Sequence, residues 1–145
     1  MSALRTELQR ARTFFDANVL VYADDANDAR KHAIATELIP HHLRMRSGVV
    51  STSSLGEYFY AATRKIKLDA AIARAQVETF CRFQVVEPTT ADVLAAIDLH
   101  RLRRFSYWDS LMIRCALRAG CGVLLTEDLS HGQMIDGMQI VNPFL

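Results

Sequence analysis

The chain has 145 residues, half of them apolar and 23% charged, with 17 basic and 16 acidic side chains for a net charge of +1. That length fits one domain able to bury well over half of its unfolded surface, and the composition excludes a disordered, fibrous or strongly polyelectrolyte protein. Any footprint for a polyanion must be local, in Arg44 and Arg46, in Arg64, Lys65 and Lys67, or in Arg101, Arg103 and Arg104.

The first twelve residues, MSALRTELQRAR, are polar, and no apolar run reaches the length of a membrane span, so a cytoplasmic, unprocessed protein is expected. Thr13–Phe15 predicts the first strand, and Asp16 follows it directly. An aspartate there is, taken alone, an Asx turn or a helix cap. Val49–Ser51 predicts the second strand, and Leu55, Tyr58, Phe59 and Ala62 form a helical stripe after it. Glu57 stands in that helix three residues after Ser54, which also spells a capping box. Ala73, Val77, Phe80 and Cys81 mark another helix, and Gln84–Val86 a third strand. Trp108, Leu111, Met112 and Cys115 stripe a helix whose start, Ser106 to Asp109, again reads as a capping box. Val123–Thr126 and Gln139–Val141 predict the last two strands, with Glu127 and Asp128 following the first of them.

Strands alternating with helices predict an α/β fold: one domain over residues 1–145, with a mostly parallel five-stranded sheet covered by helices on both faces. Pro40, Pro88 and Pro143 fall between the periodic segments, and no repeat or linker divides the chain. In such sheets functional groups collect beyond the carboxyl ends of the strands. Asp16, Glu57, Asp109 and Asp128 are all predicted there. Alone, Asp16 and Asp128 read as turn or cap acids and Glu57 and Asp109 are close to even between cap and ligand, but unrelated caps need not share one edge. Crowded carboxylates repel unless a hard cation neutralises them, and an oxygen-only set suits Mg²⁺ or Mn²⁺ and phosphoryl chemistry.

Other chemistries find less support. Cys81, Cys115 and Cys121 lack CxxC spacing and read as buried small hydrophobes in a reducing compartment. The five histidines lack zinc-site spacing and read mostly as surface or capping residues, with His41 and His42 closing a helix. There is no GxSxG, GxGxxG or GxxxxGK. A haloacid-dehalogenase site wants a second aspartate where Asn18 stands, and a receiver domain wants a lysine that Val123–Asp128 does not supply.

The segments FFDANVLVYA, STSSLGEYFYAATRK, FSYWDSLMIRCALRAG and LLTEDLSHGQ, in that order and spacing, resemble the blocks of the PIN domain, most closely those of VapC-type toxins of bacterial VapBC toxin and antitoxin pairs. The likeness covers the chain beyond its first dozen residues, an extension of open role. It implies metal coordination by Asp16, Glu57, Asp109 and Asp128, with Asn18 and Thr126 in support. The T-x-D pattern of Thr126 to Asp128 favours Asp128 over Glu127 as the fourth acid. The resemblance further implies Mg²⁺- or Mn²⁺-dependent endonucleolytic cleavage of RNA that inhibits translation, a homodimer, and inhibition by a VapB-like antitoxin. Tyr58, Phe59 and Tyr60, too many for one helix face to bury, also suggest a dimer contact. The alternative is a PIN-like module that has lost activity and only binds RNA or a protein.

Overall fold

The structure is a computed structural model that describes residues 10–145. In chain order its elements are β1 (Thr13–Phe15), α1 (Ala17–Tyr22), α2 (Ala29–Met45), β2 (Gly48–Ser51), α3 (Thr52–Arg64), α4 (Ala70–Phe80), β3 (Gln84–Val86), α5 (Thr90–Arg103), α6 (Tyr107–Arg118), β4 (Val123–Leu125), β5 (Met134–Ile135) and β6 (Met138–Val141). The sheet runs β3-β2-β1-β4-β6-β5. The five expected strands are its five parallel members, paired for example as Phe14 with Val49 and Phe15 with Leu125.

Alternation along the strands sorts the core into two layers. Phe15, Val50, Leu125 and Val141 face a cluster with Leu20 of α1, Leu38 and Ile39 of α2, Tyr58 of α3 and Phe80 of α4. Phe14, Val49, Leu124 and Ile140 face the opposite cluster, with Ala96 of α5 and Leu111, Ile113 and Cys115 of α6. Both sheet faces are covered, which is why the strands read as continuous apolar runs.

Several expectations are corrected. The sheet has six strands, because β5 pairs antiparallel with β6 through a two-residue turn in which Asp136 and Gly137 both take positive φ. Asp-Gly is the favoured sequence for that turn. Pro40 lies inside α2, on its exposed side, where water can serve the carbonyl that loses a partner. Cys81 is exposed, because it sits at the C-cap of α4, just beyond the last helical residue; Cys115 and Cys121 are buried. His42 is fully buried, its Nδ1 2.6 Å from Ser47 Oγ. Tyr58 is fully buried as well, and its hydroxyl donates to Asp24 Oδ2 at 2.5 Å, so it is unavailable to a dimer contact. Phe59 and Tyr60 are exposed.

The expected extension, residues 1–12, lies mostly outside the described residues. Of its described part, Arg12 is docked, with Nε donating to the Ala119 carbonyl at 2.7 Å. Among the described residues no helix is long and apolar enough to cross a membrane.

Candidate active site

The chain leaves β1 for β2 on one side and later returns to β4 on the other, so the sheet's switch point lies between the carboxyl ends of β1 and β4. Asp16 and Thr126 stand there. The Asp16 amide donates to the Leu125 carbonyl at 3.0 Å, which continues the β1–β4 ladder to the point where α1 must begin. Asp16 caps α1 through Oδ1, which accepts the Ala17 amide at 2.7 Å, while Oδ2 accepts the Thr126 hydroxyl at 2.8 Å. Cap and candidate ligand are therefore one residue using different oxygens.

Asp16 is only 7% exposed. Burial pushes its carboxyl up to about 6, and repulsion from Asp128 and Glu57 adds to the rise, against the hydrogen bonds from Thr126 and Ala17. The Glu57 carboxyl is also raised, first by partial burial and then by Asp109 and Asp128. Mutual repulsion of this kind places the four acids in one electrostatic field.

Glu57 is not part of a capping box. The helix starts at Thr52, so Ser51 is the cap and accepts the Ser54 amide at 3.1 Å, leaving Glu57 more than a turn further in. Asp109 sits where a box would put it, and its amide donates to Ser106 Oγ at 3.1 Å. The complete reciprocal box belongs to α5, between Thr89 and Asp92. The carboxylates of Asp16, Glu57, Asp109 and Asp128 line one pocket of about 150 Å³, whose wall also includes Ser51, Ser53, Pro88 and Trp108.

After β4 the two adjacent acids part. Asp128 donates its amide to Thr126 Oγ1 at 3.1 Å, and its Oδ2 accepts Asn18 Nδ2 at 3.0 Å. Asn18 Nδ2 also lies 3.4 Å from Asp16 Oδ2, so the amide bridges two carboxylates. Glu127 accepts instead from the Tyr22 hydroxyl and Lys31 Nζ, both at 2.8 Å, and does not line the four-acid pocket. Lys31 escapes sequence reasoning because its partner is distant in the chain; Trp108, at a position of the apolar stripe, is 69% exposed.

Among the described residues no group of three or more His, Cys, Asp or Glu side chains is gathered closely enough to cage a metal ion. Magnesium commonly keeps several waters and binds through one or two carboxylates, so an open acidic pocket fits such an ion better than a closed cage would. The donor set is oxygen alone, and a cation would offset the burial and the carboxylate repulsion that raise the Asp16 carboxyl.

The PIN domain family model matches residues 13–134, and the chain belongs to the PIN-domain family. Nine chains of solved structures match it. One is the crystal structure of Mycobacterium tuberculosis VapC20, a sarcin-ricin loop cleaving toxin, similar at 23% identity over 77% of this chain and 86% of that one, with a TM-score of 0.60. That likeness speaks to the fold. A search of curated proteins gives no match.

Proposed function

We propose that this chain is a divalent-metal-dependent endoribonuclease, most like the VapC-type toxins, which inhibits translation by hydrolysing RNA and is held in check by a VapB-like antitoxin. The observation that carries the reading is Asp16: a buried carboxylate with one oxygen held by Thr126, in one pocket with Glu57, Asp109 and Asp128. Unrelated solvated caps would have no reason to crowd Asp16 and Glu57 with other carboxylates. A bound Mg²⁺ or Mn²⁺ would supply Lewis acidity toward a phosphoryl oxygen and a lowered pKa for an attacking water. Thr126 and the Ala17 amide fix the Asp16 carboxylate in one orientation, and Asn18 bridges it to Asp128 by donating to both. Glu57 and Asp109 join the same pocket from α3 and α6.

The test is RNA cleavage by purified chain, stripped of any antitoxin, with Mg²⁺, Mn²⁺ or chelator. Asp16→Asn, Glu57→Gln, Asp109→Asn and Asp128→Asn are each expected to lose on the order of a hundredfold or more, because ligands of one site act as a unit. Glu127→Gln is expected to keep most of the activity. Wild-type cleavage in chelator, or by the amide variants, would sink the carboxylate-metal reading. A parent that cuts no RNA in either metal makes the inactive binding module the better account.

A further inference from the structure

The four-acid pocket continues into a second, larger groove of about 530 Å³, and the two share Asp16, Glu57 and Asp128. Each is lined by an aromatic ring that the core does not use. Trp108, the chain's only tryptophan, lines the first pocket at 69% exposure. Tyr60 lines the second groove at 62% exposure. Exposing two large rings costs hydrophobic free energy unless something covers them.

Both rings have side-chain neighbours at the surface. Trp108 packs edge-on against Tyr107, with ring centroids 5.0 Å apart. The Arg64 guanidinium stands 5.3 Å from the centre of the Tyr60 ring, and Lys65 lines the same groove. A cation beside a ring, next to a row of carboxylates, suits a ligand that brings phosphates and flat bases together.

We propose that Trp108 and Tyr60 are base-stacking subsites for single-stranded RNA, one on each side of the acidic centre, so that an unpaired strand lies along the trench with the phosphate between the stacked bases at Asp16. This rests on the nuclease reading and adds the residues that grip the bases, since paired bases have no free face to offer the rings. Lys65 and Arg64 meet backbone charge on the Tyr60 side.

Because Trp108 is the only tryptophan, its fluorescence reports stacking without turnover. The Asp16→Asn chain is titrated with a short mixed-sequence single-stranded RNA, and separately with the same strand annealed to its complement. The single strand is expected to quench Trp108 and the duplex to leave it nearly unchanged. In steady-state cleavage by the otherwise wild-type chain, Trp108→Ala and Tyr60→Ala are each expected to raise KM about tenfold with little change in kcat, and Trp108→Phe and Tyr60→Phe to restore it.

Equal quenching by duplex and single strand overturns the proposal, as does an alanine variant that lowers kcat at unchanged KM. Cleavage by a chain whose Trp108 stays silent sinks the stacking subsites and leaves the nuclease reading standing. Single-strand quenching in a chain that cuts nothing sinks the nuclease reading and leaves the subsites.

Discussion

At Asp16, burial and the neighbouring carboxylates favour the protonated form, while the Thr126 and Ala17 hydrogen bonds favour the ionised one, and burial wins. In the unfolded chain the group titrates near 3.8, and in the metal-free fold near 6. Between those values the folded chain holds a proton that the unfolded chain has released. Metal-free stability therefore falls as pH rises through that window, by an amount of roughly 3 kcal/mol for this one group. Glu57, also raised, acts in the same direction. Thermal melts in chelator from about pH 4 to about pH 7 should show the decline in the parent and a flatter profile in Asp16→Asn. A parent and variant with parallel profiles would mean that the carboxylate is well solvated. With metal, the cation competes with the same proton, so cleavage should fall as pH drops through about 6 and recover with more metal.

Among the elements, those with two-sided apolar runs were legible because alternation and burial agree: Phe14 and Phe15 go to opposite clusters, as do Val49 and Val50. What escaped was set by competition over short distances. In the run Ser51 to Ser54 each hydroxyl is a possible cap, and only the end of β2 decides that Ser51 caps the helix and that Glu57 is left for the pocket. β5 is two residues long, too short for any periodicity, and only Asp136-Gly137 could have announced it. The split between Glu127 and Asp128 depends on Lys31 and Tyr22, which no local pattern brings near. Nor does any sequence pattern place Gly48 against Phe83. A Cβ at Gly48 would come within 2.2 Å of the Phe83 ring, which is buried and stacked on Phe15 at 5.2 Å. The ring has little room to retreat, so Gly48→Ala should destabilise by about 1–3 kcal/mol, as overpacked cores do. Urea denaturation checks it, and an unchanged midpoint would show that the ring can swing aside.

At the scale of the whole molecule, the expected homodimer keeps only Phe59 and Tyr60 of the surface the sequence suggested. Tyr58 is spent on the core, and Tyr60 faces the trench. The helix α5 instead carries Leu94, Ile97 and Leu102 exposed, while its Ala96 is buried against the sheet side. Single exposed apolar residues are ordinary, but Leu94 and Ile97, a turn apart on one face, form a patch that a two-fold partner could cover with the same patch of its own. The chain should run as a dimer in light scattering at about tens of micromolar, enough for an interface of standard size. Its melting temperature should rise with concentration, because association stabilises only the folded form. Leu94→Glu combined with Ile97→Glu should give a monomer, since two carboxylates would meet their own copies across the axis. Both side chains already face water, so the monomer should melt close to the dilute parent. A parent that is monomeric at that concentration rules out the dimer, and a double variant that stays dimeric moves the contact away from α5.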